Sequence, residues 1–425
     1  MKKIIKEVIE VIKNTINKEE FITKHKTNEK DFTRKRKLGF REIMYFVLGL
    51  SNSCLDFEKD YFCDVFKIEK VSNAAVCKAR DKVKFTASRE LLSVTQQFIP
   101  AQNKYKGYNI IAVDGVKGEL PNTKEIKDNY KLSKGCLYPQ FHAVTSFDVL
   151  NSKFIDAQIE METANERKLA CKLLENHIPG KDIILYDRGF ASVALIQKLE
   201  EKGIYFVARV SKSFIKEINE STKQKTLDKT IHIDYTQERA KKSKVKDVKL
   251  PYSFDLRCVR IFLKSKQQEI LITNLPREEF KRKDVGHLYS LRWGIEVGFN
   301  HLKNALYLEA FVGIKENSIK QEFYSILIKY NIIMLFTEEA KIMEMNNKKT
   351  LKLEYKPNMR KTAVFVVKNI LKMLHSSIKG LTKIIKDILC NIVKFKSAIR
   401  KNRTFLRKQN SSKYSVGYKR NFLLS

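Results

Sequence analysis

The spacing of apolar positions changes character twice along the chain. From residue 1 to about 104 it is helical: "MKKIIKEVIEVIKN", "FREIMYFVLGL" and "VSNAAVCKARDKVKF" repeat apolar residues at three and four. Ser72 caps the third of these helices, whose Ala75, Val76, Ala79 and Val83 share a face. From about 105 the chain turns to short apolar runs closed by turn residues. "NIIAVDG", "FHAVTSFDV" and "FIDAQIE" predict a meander of strands. "DIILYDRGF", "ASVALIQKLEEKG" and "IYFVARV" then predict a strand, helix, strand unit, with Gly203 as the helix stop. Residues 211 to about 270 are lysine-rich, yet "TIHIDY", "LRCVRIFL" and "EILITNL" are strand-like, so this stretch is a β-rich segment placed before the next helix. After 330 the pattern is helical again. The predicted organisation is therefore a helical region over 1–104, an α/β region over 105–330 and a basic helical region over 331–425.

One helical stretch carries more than packing requires. In "YSLRWGIEVGFNHLK", residues 289–303, the residues Tyr289, Arg292, Glu296 and Lys303 fall within a stripe ~60° wide. Leu288, Leu291, Ile295, Phe299 and Leu302 occupy the neighbouring arc. A solvated face with a weak Arg292–Glu296 ion pair would give the same pattern. Trp293, beside the stripe, suits either a core position or stacking on an unpaired base.

Charge narrows the partners. The 83 Lys and Arg against 48 Asp and Glu leave a formal charge of +35, while hydrophobic residues at 43% are enough for a folded core. A polyanion compensates such a charge, and nucleic acid fits best. No segment approaches ~20 uninterrupted apolar residues, which argues against a membrane span, and Glu7 and Glu10 break up the N-terminal segment as a signal peptide. Seven scattered cysteines without a C-x-x-C pair point to reduced thiols and a cytoplasmic setting, and the seven histidines offer no zinc motif. Residues 391–420 hold ten Lys and Arg and no acid, with four aromatics between them, a pattern that suits phosphate tracking as well as a solvated tail. The basic "KHKTNEKDFTRKRKL" and the Ser72 helix make the first 104 residues either a small DNA-binding domain or a plain bundle.

Two acids close strand-like runs: Asp114 after Ile110 to Val113, and Asp187 after Ile183 to Tyr186. Taken singly, each is an ordinary turn residue. If the two strands are parallel neighbours, their carboxyl ends form the edge where ligands gather, and Asp182 lies at the opposite end. Glu296, laid over that edge by its helix, would complete an all-oxygen set for two hard divalent cations, which suits phosphodiester chemistry. Arg292, Lys303 and Tyr289 would then hold phosphates around the scissile bond.

"AVDGVKGELPNT", "LYDRGF" and the Y-x2-R-x3-E-x6-K pattern at 289, 292, 296 and 303 resemble the bacterial DDE insertion-sequence transposases with a β-insertion in the catalytic domain. The likeness covers roughly residues 70 to 330, and "VSNAAVCKARDKV" resembles the helix preceding the catalytic domain in that family. The resemblance implies an RNase H-like α/β fold with the insertion between the second Asp and the Glu. It also implies dependence on Mg²⁺, with Mn²⁺ as a substitute, and cut-and-paste transposition at terminal inverted repeats, often through a hairpin. Asp114, Asp187 and Glu296 take the catalytic and metal-holding positions; Tyr289, Arg292 and Lys303 take the DNA-contact positions. Partners would be double-stranded DNA bearing inverted repeats and a target DNA, with a dimer in the DNA complex, in the bacterial cytoplasm at the nucleoid. Val116 departs from the Ser common after "DG" in that family and removes a supporting hydrogen bond. A nuclease of the same fold without strand transfer, a catalytically silent DNA-binding copy and a purely structural basic protein remain open alternatives.

Overall fold

The computed structural model describes residues 2–130, 138–161, 164–242, 248–263, 267–346 and 355–399. Six helices come first: α1 (Lys2–Asn17), α2 (Glu19–His25), α3 (Phe40–Gly49), α4 (Leu55–Phe66), α5 (Asn73–Arg80) and α6 (Thr86–Gln97). On α1, Ile5, Val8, Ile9, Ile12 and Ile16 form one buried face, as their three-four spacing requires. Helix α5 starts on Ser72, whose side chain accepts from the Ala75 N–H, but it stops at Arg80. Val83 therefore lies beyond the helix, in a bridge with Lys26.

The middle of the chain builds one sheet. It runs β1 (Asn109–Glu119), α7 (Lys124–Asn129), β2 (Gln140–Asp148), β3 (Lys153–Glu160), α8 (Glu166–Leu173), β4 (Asp182–Tyr186), α9 (Val193–Glu201) and β5 (Tyr205–Val210). There follow α10 (Lys216–Lys223), β6 (Asp228–Tyr235), α11 (Gln237–Lys242), β7 (Tyr252–Phe262) and β8 (Gln268–Thr273). The strand order is β3-β2-β1-β4-β5-β8-β7-β6. Strands β1 to β3 form the antiparallel meander, and β4 and β5 join parallel to β1. This is the strand order and direction of an RNase H-like domain. The β-rich segment extends the same sheet, because β8 pairs antiparallel with β5 and carries β7 and β6 outward.

Helices α12 (Arg282–Leu291) and α13 (Trp293–Ala305) follow, then α14 (Glu316–Asn346), β9 (Tyr355–Pro357), α15 (Met359–His375), α16 (Ile378–Lys394) and β10 (Lys396–Ala398). The expected boundary at residue 330 lies inside α14. That helix is buried on every side from Ser318 to Ile333. It packs on α3, α6, β3, α15 and α16, so the helices before β1 and after α13 share one core with one sheet face. The polar groups of α14 are buried with partners. Glu322 accepts from Arg80 at 2.8 Å and from the Gly313 N–H at 2.7 Å; Asn331 donates to Phe154 O at 2.8 Å; Lys329 donates to Leu50 O at 2.5 Å. The opposite sheet face is covered by α8 and α9. Among the described residues no helix is long and apolar enough to cross a membrane, and the basic stretch beyond residue 399 lies outside them.

Candidate active site

Asp114 does not end its strand. Strand β1 continues to Glu119, paired with β2 throughout, whereas β4 stops after the Val113–Tyr186 pair. The side of β1 facing β4 therefore opens at Asp114, one step past that pair, and Asp187 follows Tyr186 directly. Alternation fixes where both carboxylates point. Asp114 shares its face with Ala112 and Val116, and Asp187 shares its face with Ile183 and Leu185. That is the face on which α12 and α13 lie. Val116, in place of the expected hydroxyl, is a core residue there.

The 289–303 stretch is two helices joined at Arg292, whose backbone stays α-helical with φ −51 and ψ −33. Tyr289 and Arg292 are buried, so the solvated-face explanation of the stripe fails. The Tyr289 hydroxyl donates to Asp187 Oδ1 at 3.1 Å. One nitrogen of the Arg292 guanidinium donates to Asp114 Oδ2 at 3.0 Å and the other to Glu296 Oε1 at 2.9 Å. Its Nε is buried with no hydrogen-bond partner among the described residues. Lys303 stands apart from this group: it donates to Lys117 O at 2.8 Å and lies 3.3 Å from Glu309. Trp293 is 57% exposed, which removes the core reading, and the Arg292 guanidinium sits 5.6 Å from its ring centre.

The electrostatics follow from three acids on one edge. Burial pushes the Asp114 carboxyl up, and the charges of Asp187 and Glu296 add to this; the Gly115 N–H and Arg292 act against it. Burial, then the charge of Asp187, holds the Tyr289 phenol well above its ordinary value, so its proton stays in place. Three carboxylates are hard oxygen donors of the kind Mg²⁺ and Mn²⁺ take. Among the described residues no three acidic, His or Cys side chains converge closely enough to hold a cation as they stand, and the guanidinium bridges Asp114 and Glu296. The donor chemistry fits a divalent ion once Arg292 moves aside.

Two neighbours had little or no motif signal. Arg209 comes one step past the Tyr186–Ala208 pair, alongside Asp187, and its charge acts on Tyr289. Strand-end logic of the kind applied to Asp187 would have found it. Glu166 begins α8, and its Oε1 would lie 2.9 Å from a Cβ added at Gly115, so glycine there lets the two elements approach.

A family model described as the transposase DDE domain matches residues 105–332, more than half of the chain, spanning all three acids. The chain belongs to the transposase DDE domain family. Among its relatives, the transposase InsG of insertion sequence element IS4 from Escherichia coli (strain K12) is 22% identical over 272 residues, 62% of this chain and 60% of the relative. The transposase of insertion sequence element IS231E from Bacillus thuringiensis subsp. finitimus is 21% identical over 340 residues, 69% of each chain. The chain thus spans 60% of the length of the first relative. The cryo-EM structure of the piggyBac transposase synaptic complex with hairpin DNA aligns at a TM-score of 0.44 and 11% identity, covering 95% of this chain and 87% of that one.

Proposed function

We propose that this DDE-family protein is an insertion-sequence transposase that cleaves DNA at terminal inverted repeats and transfers the freed ends to a target, with Asp114, Asp187 and Glu296 as the catalytic acids. The supporting observation is that Arg292 bridges Asp114 and Glu296 while Tyr289, one turn earlier, donates to Asp187, so the three carboxylates lie along one sheet edge beside α12 and α13. Divalent cations, Mg²⁺ or Mn²⁺, held by these acids would supply an activated water or 3′-hydroxyl and a stabilised leaving oxygen. The protein's own residues do the positioning. Arg292 turns from the two carboxylates it bridges to phosphate oxygens, which can accept its planar fork bidentately. Tyr289, protonated, donates to another phosphate oxygen, Lys303 holds the backbone further along β1, and Trp293 stacks on a base freed at the cut. Residues 1–104 contribute to end recognition, 105–330 carry the chemistry with the β-rich part at 211–270, and within the basic region 331–425 the 391–420 stretch follows phosphates. Pairing two ends calls for a dimer on DNA, and the setting is the bacterial cytoplasm at the nucleoid.

The test is incubation of the full chain with the DNA flanking its own gene and Mg²⁺, followed by end mapping and a search for joined products. Cuts at the repeats with joining are expected. Cuts without joining would mean a nuclease of the same fold, and retention of DNA without cutting would mean a silent copy.

A further inference from the structure

A groove of about 1950 Å³ lies away from the three acids, at the β3 edge of the sheet. Helices α2 and α6 form one wall, and α8 and the start of α9 form the other. Its lining carries seven Lys and Arg against three carboxylates. The carboxylates are already engaged or outnumbered: Asp156 is bidentate to Arg89 at 2.6 and 3.1 Å, and Glu90 takes both Lys24, at 2.5 Å, and His25, at 3.1 Å. Arg167, Lys168 and Lys198 are exposed and, among the described residues, carry no ion pair. A concave surface with surplus positive charge concentrates a polyanion.

Position adds the second argument. Arg167 Nε donates to Gly189 O at 2.8 Å, in the turn two residues past Asp187, and Glu166 abuts Gly115, next to Asp114. One end of the groove therefore approaches the turn after Asp187 and the stretch of β1 beside Asp114. The other end reaches Lys24 on α2 and Lys84 just before α6. A strand leaving the catalytic edge by this route would run between the two regions.

We infer that this groove binds the phosphodiester backbone of duplex DNA flanking the reaction site, through phosphate contacts and without base reading. The inference rests on the proposed transposase activity and adds a second DNA path to it. The shared chemistry admits two sources, the element's own end or an unrelated target duplex, and both are tested.

The experiment compares the full chain, a groove pair (Lys168→Gln with Lys198→Gln) and a control pair on α16 (Lys383→Gln with Lys386→Gln) that loses the same charge. Anisotropy titrations at several salt concentrations use an end-containing duplex and an unrelated duplex. Removing one lysine–phosphate pairing lowers the slope of log affinity against log salt by about 0.9, so the slope should fall by about 1.8 for the groove pair and little for the control pair. A fall on both duplexes assigns target or flanking DNA; a fall on the end duplex alone assigns the element's end. An unchanged slope for the groove pair, or an equal fall for the control pair, overturns the inference. Metal-dependent cutting by the parent protein in the same preparation reports on the transposase reading separately, since a chain that binds through the groove but never cuts would sink that reading alone.

Discussion

Strand β4 begins on Asp182 and is followed at once by Asp187, five residues on, and the two live in opposite circumstances. Asp182 is buried and saturated: Asn109 Nδ2 donates to it at 2.8 Å and the Ile178 N–H at 2.9 Å, and His177 Nδ1 lies 3.3 Å away. His177 in turn meets Ser146 at 3.1 Å. Burial works to raise this carboxyl, but the hydrogen bonds from His177, Asn109 and Ile178 outweigh it and hold it low. Among the described residues the Asp187 carboxylate accepts one hydrogen bond, from Tyr289, and it shares its edge with two more acids and the guanidinium between them. A carboxylate whose lone pairs are all used holds the fold together. Carboxylates with few donors beside like charge retain capacity for an incoming cation; burial raises the Asp114 carboxyl, and the charges of Asp187 and Glu296 push the same way.

The largest break in this comparison should come from Asp114→Asn and, separately, Glu296→Gln. Both keep shape while removing charge, so DNA retention should persist as cleavage drops by orders of magnitude, checked by gel shift and nicking on one substrate. Retained cutting in either variant would place the chemistry elsewhere.

Arg292→Ala should separate the guanidinium's two duties. Without it, DNA-free protein should bind Mg²⁺ more tightly, since the competing positive charge between Asp114 and Glu296 is gone. Cleavage should nonetheless fall about 10²–10³-fold, the loss typical of one preorganised donor. Trp293, the only tryptophan, reports the metal titration by fluorescence. Weaker Mg²⁺ binding would show that the guanidinium supports the cation site instead of competing for it.

A smaller effect belongs to Lys329. Burial drives its ammonium down to about 8 from 10.5, against the pull of Glu58 and Glu322. Between those values the unfolded chain holds the extra proton, so stability should rise from pH 8 to 10.5, by at most about 1.4 kcal/mol per pH unit. Chemical denaturation at several pH values should show that rise flattened in Lys329→Met. An identical slope in both proteins would remove Lys329 as its source.

Much of this was legible in the residues. The strands of the meander, the β4–α9–β5 unit and the β6, β7 and β8 segments announce themselves through apolar runs and turn residues. Two features were not. The pairing of β8 with β5 joins residues about sixty apart, and local pattern carries no trace of such a partner. The length of β1 past Asp114 is set by β2, whereas the sequence shows only the apolar run ending at Val113. The Tyr289, Arg292, Glu296 stripe was visible as geometry, but its burial depended on the edge left open where β4 ends. Lys303 shared the stripe by angle and still lies apart, because two further turns of α13 carry it to Lys117 and Glu309.

The most direct test sets the two ends of β4 against each other in one assay. Asp187→Asn and Asp182→Asn are compared for gel shift, Mg²⁺-dependent nicking and unfolding on the same labelled repeat DNA. Asp187→Asn should fold and bind like the parent while losing cleavage by orders of magnitude. Asp182→Asn should lose about 1–3 kcal/mol of stability, as a buried hydrogen-bond network is disturbed, yet cut normally per folded molecule. An Asp187 variant that cuts like the parent, or an Asp182 variant that is folded and inactive, would contradict the assignment of the catalytic edge.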